Sequence, residues 1–484
     1  MRGAVVLCCS QAMAPGARAR MPVHGARRWS SAASAVAASV DLRGWVKNQG
    51  GFVWSGLHVV HSGSSHGMGL VATQDLPQGS TIITLPRRIP MPMPDPENAA
   101  VLAPSEGVIC EIANRVPEEL WAMRLGLKLL YERAQKGSYW WPYISMLPHS
   151  FTLPIFFSGV DIESIDYAPV THQVKKRCRF LLQFSSELAK LESLPEEIHP
   201  FAGQFVDSGA LGWAMAAVSS RAFRIHGVTN KLCSAMMLPL IDMCNHSFQP
   251  NAHIEEDLSR DAQDVSFLKV VTKRNLEKGS AITLNYGPLS NDLLLLDYGF
   301  VIPDNPHDRI ELRYDGSLME NARMIAGLSR TGSPPFSSPA SWQVDRLKQL
   351  GLADSGESQK VTLGGPEEVD GRLLAALRIL HAESQEPLER RELVSLQAWG
   401  VESMVSSDNE ERVLRTLCGL GAIVFNQFKT TIEEDEAKLS DKSLAETSRI
   451  AVQFRLTKKR LVVRVLESLK KRLMDLRAVR AEFQ

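Results

Sequence analysis

Hydrophobic and polar positions change period several times along the chain, and those changes divide it. From Leu57, the runs LHVVHS, GLVATQ and TIITLP are short, β-type and punctuated by Gly and Pro, at the spacing of a small meander. From about 104 to 225 the period becomes helical. PEELWAMRLGLKLLYERAQ opens with Pro117 and two glutamates and then repeats apolar residues at helical spacing; HQVKKRCRFLLQFSSELAKLE and ALGWAMAAVSSRAF continue the pattern. Strand-like runs return with AHIEE, VSFLKVV and AITLNYG, so a helical block is inserted into a β-rich domain. SNDLLLLDYG predicts one short helix, capped by Ser290 or Asn291 and stopped by Gly299. Beyond Pro303 the Pro/Ser-rich stretch 331–339 reads as a loop or linker. GRLLAALRILHAE, NEERVLRTLCGLGAIVFNQF and SRIAVQFRLTKKRLVVRVLESLKKRLMDLRAV then predict a helical C-terminal domain. The expected fold class is α+β, with a β-rich domain over 41–300 and an all-α domain over 301–484. No fixed-period internal repeat stands out.

At 44% hydrophobic and 22% charged, 484 residues suffice for two or three cores. No stretch approaches the roughly 18 uninterrupted apolar residues of a membrane-spanning helix, so a soluble chain without membrane contact is expected. Seven scattered cysteines without a CxxC pair point to a reducing compartment and exclude a disulfide framework or zinc knuckle. The formal charge of zero hides an asymmetry. Residues 1–40 hold five arginines, eleven alanines and no acid, Asp41 being the first. That is the composition of an organelle transit peptide, for a plastid or a mitochondrion, with a plain disordered tail as the alternative.

The polar cluster DMCNHSFQPNA, 242–252, follows the apolar run AMMLPLI and admits several chemistries. Zinc would enlist Cys244, His246, His253 and Asp242, but their spacing matches no familiar zinc pattern, so no metal is expected. NHS at Asn245 also matches a glycosylation sequon, without a secretory signal to give it meaning. GMG at 67–69 lacks the third glycine of a dinucleotide loop and is followed by a strand where a helix is required. It remains either a hairpin turn or a turn that touches a ligand with its backbone. The basic C-terminal helix, from Arg455 to Arg480, shares its length with apolar positions, Glu467 and Asp475, and no aromatic platform is interleaved. It reads as a solvated face, open to an acidic partner protein, and no nucleic acid is expected.

Taken in order, HGMGLVATQDLPQGSTIITLP, SSRAF, LPLIDMCNHSFQPNA and ITLNYGPLSNDLLLLDYGFV resemble the SET-domain protein methyltransferases, in the branch typified by the plastid Rubisco large-subunit lysine methyltransferase. SSDNEERVLRTLCGLGAIVFNQFKTTIEEDEAKL resembles that branch's helical substrate-binding domain. The resemblance runs from about 43 to 480. It implies a β-clip SET domain with a pseudo-knot, split by the helical insertion.

The resemblance also implies S-adenosylmethionine as cofactor and direct methyl transfer to a side-chain nitrogen. His66, Gly67, Met68 and Gly69 correspond to the adenosine-cradling turn; relatives often carry Glu or Arg at the place of His66, so the backbone contacts are what carries over. Asn245 corresponds to a hydrogen-bonding partner of the cofactor's amino-acid moiety, and His246 to a backbone contact with adenine. Arg221 corresponds to the arginine meeting the cofactor carboxylate or the substrate, a surface helix arginine being its plain alternative. Tyr286 matches the catalytic tyrosine, Tyr298 a wall of the substrate channel, Phe300 a ring stacked on adenine, and Asp242 a residue on the substrate side. Read singly, an aromatic before Gly is more often core than catalytic.

The absence of Cys-rich modules favours a non-histone substrate, docked by the C-terminal domain of a monomer. A protein-lysine N-methyltransferase of the chloroplast is the leading expectation, with the Rubisco large subunit or fructose-bisphosphate aldolase as substrate type. A histidine acceptor, a non-catalytic docking protein and, more weakly, a metal-dependent hydrolase are the alternatives.

Overall fold

The computed structural model describes residues 41–61, 67–93, 103–226, 233–256, 266–328, 335–353, 359–389 and 391–482. The expected transit peptide, His66, and residues 331–334 of the Pro/Ser-rich stretch lie outside the described residues.

The three β-type runs form strands, β2 (Leu57–His61), β3 (Met68–Ala72) and β4 (Thr81–Pro86), and two short strands that the alternation did not mark flank them, β1 (Phe52–Val53) and β5 (Met91–Pro92). After the helical block come β6 (Ala222–His226), β7 (Cys233–Met237), β8 (Asn245–His246), β9 (Ala252–Glu256), β10 (Ser266–Thr272) and β11 (Thr283–Leu284). β4 lies between β1 and β10 in the order β1-β4-β10-β9, and Ile82, Ile83 and Leu85 are completely buried there, as a central strand covered on both faces requires. β9 is one edge, and its Glu255 and Glu256 leave that edge polar. β2 and β3 form an antiparallel hairpin, and β5-β7-β6 a second small sheet.

The described residues hold a symmetry that the periodicity analysis did not reveal. Leu76 and Leu276 exchange reciprocal backbone hydrogen bonds of 2.8 Å, Gly79 N donates to Thr272 O at 2.9 Å, and Gly279 N donates to Ala72 O at 2.7 Å. Asp75 Oδ1 accepts from Lys278 N and Asn275 Oδ1 from Gln78 N, each at 2.8 Å. Two similar turns, one on each side of the insertion, thus clasp each other.

The inserted block runs from the helix Pro104–Asn114 to the helix Ser208–Ser219. Helix Trp121–Ala134 packs on Ser208–Ser219, burying Leu125, Leu129, Leu211 and Ala214. Asp207 caps the latter helix by accepting from Ala210 N at 2.8 Å.

The chain divides into a unit of residues to Gly159, Gln173–Pro288 and Leu295–Phe300, and a unit of Val160–His172, Leu289–Leu294 and Val301–Gln484. Two short segments that the sequence reading assigned to the first domain therefore join the second. Tyr167 explains one, since its hydroxyl accepts from Glu311 N at 2.7 Å; Asn291 explains the other, since its amide donates to Asp308 Oδ2 at 3.1 Å.

The C-terminal unit is helical, but it also holds one antiparallel pair, β12 (Arg309–Arg313) with β13 (Lys360–Gly364), where the sequence reading expected helices alone. Its Asn409–Glu410 pair, near the start of helix Ser407–Asn426, is a clamp. Glu410 receives two hydrogen bonds from the buried Arg378 at 2.7 and 2.8 Å, and Asn409 donates to Arg378 O at 3.0 Å. Thr431 and Glu434 form a capping box at the start of Ile432–Ser440.

The C-terminal helix Glu446–Glu482 corrects the expectation of a wholly solvated basic face. Arg455, Lys458 and Lys459 are buried. Arg455 and Lys459 pair with Asp435, and Lys458 lies 2.7 Å from Asp308 and 2.5 Å from Asp292. Buried carboxylates draw these cations inward, because an unpaired charge there is costly. Arg460, Arg464, Arg477 and Arg480 do face solvent.

Candidate active site

Three distant stretches meet at the polar cluster. β8 runs parallel to β11, pairing Asn245 with Thr283 and His246 with Leu284, and Ser247 N donates to Leu284 O at 2.9 Å. Immediately upstream, Ile282 N donates to Leu70 O at 2.8 Å, which brings β3 against the segment leading into β11. Gly67 has a left-handed backbone (φ +64°), and a Cβ there would meet nothing within 4 Å. Gly69 differs: a Cβ there would lie 3.0 Å from Asn245 Nδ2, so its bare backbone is what lets the Asn245 amide approach. Met68 between them is buried. Gly67, Met68, Gly69, Asn245 and His246 are therefore neighbours.

Arg221 stands directly after helix Ser208–Ser219, at the turn into β6, with a side chain only 10% exposed; it is not a surface helix arginine. Its Nη1 donates to Asp242 O at 3.3 Å and to Asp242 Oδ2 at 3.4 Å. Its Nε is buried and makes no hydrogen bond, and the same is true of Asp242 Oδ1. Burial pushes the Asp242 carboxyl up, against the opposing pull of Arg221 and Tyr143. Tyr143, from the short helix Trp141–Ile144 of the insertion, donates to Asp242 Oδ2 at 2.6 Å.

Tyr286 follows β11 and lies among aromatic rings. It stacks on Tyr298 at 5.2 Å and 23°, meets Phe223 edge-on at 6.0 Å, and lies 5.1 Å from the His246 ring. Its hydroxyl donates to Cys244 O at 2.5 Å, and its backbone N–H donates to His246 Nδ1 at 3.1 Å. Burial, reinforced by neighbouring groups, pushes the Tyr286 phenol far above its ordinary value; burial and then Asp297 do the same to Tyr298. Both stay protonated at any ordinary pH. Phe300 meets Tyr298 edge-on at 6.1 Å.

Tyr298 is aimed by a feature the sequence reading took for a plain helix. Only Asn291–Leu293 is α-helical; Leu294–Tyr298 is a π-helical turn, ended by Gly299 at φ +79°. Arg177 Nη1 holds that turn, 2.8 Å from both Leu296 O and Asp297 Oδ1. A Cβ at Gly299 would lie 2.6 Å from Thr152 O, so close packing as well as backbone conformation selects glycine.

The structure thus gathers Gly67, Met68, Gly69, Asn245 and His246 around the paired β8 and β11, Arg221 with Asp242, and Tyr286 with Tyr298 and Phe300. Among the described residues no group of three or more His, Cys, Asp and Glu could hold a metal ion, and burial pushes the Cys244 thiol well up. His253 turns instead to Glu255, at 3.1 Å. Sequence reasoning missed Tyr143 and Phe223. Phe223 belongs to the quoted SSRAF motif, whereas nothing local to Tyr143 marks it.

A family model described as SET domain matches residues 67–287, and one described as Rubisco LSMT substrate-binding matches residues 334–462. Actin-histidine N-methyltransferase of Canis lupus familiaris is 25% identical over 443 residues, covering 88% of this chain and 68% of that protein. The Homo sapiens protein of the same name is 24% identical over 457 residues, with the same coverages. The crystal structure of the SET domain of LSMT bound to lysine and AdoHcy matches with a TM-score of 0.64 at 20% identity, covering 90% of this chain and 92% of that one. Rubisco LSMT bound to AdoMet matches with a TM-score of 0.62 at 19% identity, covering 91% and 93%. Such identities establish a shared fold, and the two domain matches fall in the order that the β-rich and helical units occupy in the chain. The chain belongs to the SET-domain methyltransferases, in the branch that carries a Rubisco LSMT substrate-binding domain after the SET domain.

Proposed function

We propose that the protein methylates a lysine side chain of a non-histone protein, using S-adenosylmethionine. The cofactor supplies a methyl group on a sulfonium centre; the chain must hold its polar end and align an amine with it. Arg221 suits the first task, because its buried Nε has a donor to spare and a guanidinium fits a carboxylate. The Asn245 amide lies beside the Gly69 backbone, and Gly67 leaves room for close approach of an adenosine. His66 belongs to the same proposed cradle.

The observation that carries the acceptor assignment is the aromatic group Phe223, Tyr286 and Tyr298. Aromatic faces cover an alkyl stem and favour the methylammonium cation that forms on transfer, and a lysine presents both. With its hydroxyl on Cys244 O and its proton firmly held, Tyr286 orients and does not act as a base. Desolvation lowers an amine's pKa, so the lysine sheds its proton to water as it enters. A histidine acceptor is the second reading, supported by the names of the curated relatives; the buried Asp242 Oδ1 would then be available to a second ring nitrogen.

The Arg-rich, acid-free composition of residues 1–40 supports import, and the plastid is the compartment we propose, with the mitochondrion as alternative. The Rubisco large subunit or fructose-bisphosphate aldolase is the proposed substrate type. Incubation of the protein with methyl-labelled S-adenosylmethionine and plastid extract, followed by identification of the labelled residue, tests this reading. Label on lysine, lost in Tyr286→Phe, supports it; label on histidine selects the second reading. Cofactor binding with no labelled protein in plastid or mitochondrial extract would leave a docking protein instead.

A further inference from the structure

A cavity of about 610 Å³ opens in the C-terminal unit, lined from the helices Gly316–Ile325, Ser341–Gln349 and Ser407–Asn426. It has the volume of an ordinary ligand pocket and an unusual wall: the guanidiniums of Arg323, Arg412 and Arg415 beside Phe336 and Trp342. Arg323 is already satisfied, paired with Glu320 at 2.8 Å and lying over the Phe336 ring at 4.8 Å. The other two are not. Arg412 Nε is buried without a hydrogen bond, and Arg415 donates to Ala326 O at 2.7 Å but pairs with no carboxylate among the described residues.

The carboxylates around the cavity do not close this account. Glu383 takes Arg412 Nη1 at 3.0 Å but is 83% exposed, so it is held weakly. Asp408 and Glu411 are engaged by Arg480 and Arg477. His381, whose Nε2 lies 2.8 Å from Thr416 Oγ1, is kept neutral by burial and then by the charges of Arg412 and Arg323, so it adds no cation to the wall. Donors in fork geometry with an aromatic wall match a carboxylate carried on a peptide.

We propose that this cavity docks an acidic segment of the protein substrate, seating a Glu or Asp carboxylate on Arg412 and Arg415 beside Trp342. The proposal rests on the reading of the chain as a protein methyltransferase. It can be tested without turnover.

Anisotropy of fluorescein-labelled hexaglutamate, titrated with the full-length chain at near-physiological ionic strength, is the measurement. Saturable binding is expected, weakened about ten-fold or more by Arg412→Gln/Arg415→Gln and tightened by Glu383→Gln, which releases Arg412. Unchanged circular dichroism and unchanged calorimetric binding of S-adenosylmethionine certify the variants; Arg415→Gln alone serves if the double variant misfolds. Equal binding by wild type and variant overturns the proposal. So does displacement by free glutamate as effective as displacement by peptide, which would make the cavity a small-anion site. If the binding shifts hold while S-adenosylmethionine fails to bind, the methyltransferase reading falls and the docking site stands; the opposite pattern removes the docking site alone.

Discussion

Tyr143 donates a 2.6 Å hydrogen bond to Asp242 Oδ2, and both side chains are buried. The bond ties the helical insertion to the polar cluster and completes a chain, Tyr143 to Asp242 to Arg221, that fixes the guanidinium. Tyr143→Phe removes the donor and leaves a buried carboxylate oxygen to Arg221 alone. Expected is a loss of about 1–3 kcal/mol in unfolding free energy, the cost of such an orphaned group. Weaker binding of S-adenosylmethionine should accompany it. Denaturant unfolding and calorimetry read the two effects, and unchanged cofactor affinity would show that Arg221 needs no such support.

Tyr286→Phe deletes the hydroxyl that meets Cys244 O but keeps the ring stacked on Tyr298. Turnover should fall by about 10²-fold or more if the hydroxyl helps to position the reacting groups, while cofactor affinity changes little. Because burial raises the Tyr286 phenol far above its ordinary value, the pH–rate profile of the wild type should show no tyrosine limb. A limb that appears with wild type and vanishes in the variant would contradict that.

Lys458 lies between Asp308 and Asp292 with no exposure of its own side chain. Lys458→Met leaves two buried carboxylates without their cation and should cost about 3–5 kcal/mol of stability. Adding Asp292→Asn and Asp308→Asn should recover part of the loss. Equal unfolding free energies for the single and triple variants would refute the ion-pair account.

His381 makes the C-terminal unit sensitive to acid. Burial, then Arg412 and Arg323, lower it from the ordinary 6.5 to about 3. A depressed folded value contributes stability that is present above the unfolded value and is lost as pH falls. Unfolding free energy should therefore decline by up to about 1.4 kcal/mol per pH unit between 6.5 and 3. His381→Gln should flatten that slope, which urea titrations at stepped pH will measure.

Much of this was legible in the chain. The alternation of β2, β3 and β4 and the helical period of the insertion are local, and local rules read them; Ser290 does stand at the N-cap, but its side chain makes no capping hydrogen bond. The π turn of Leu294–Tyr298 was not legible, because a run of leucines fits the α and π spacings alike over five residues. Nor was β13, which pairs with β12 across the helices Gly316–Ile325 and Ser341–Gln349. The charge of the C-terminal helix was visible, but its burial depended on Asp292, Asp308 and Asp435, each supplied by a different segment.

The sequence by itself determined the order of elements, the quoted motifs and the residue types available for chemistry, since these depend on neighbours a few positions apart. Tertiary structure alone decided that Gly69 would admit the Asn245 amide, that Tyr143 would hold Asp242, and that Leu76 would clasp Leu276. Contacts across such separations are selected by how buried surfaces and polar partners are satisfied together, and no short window of sequence contains that information.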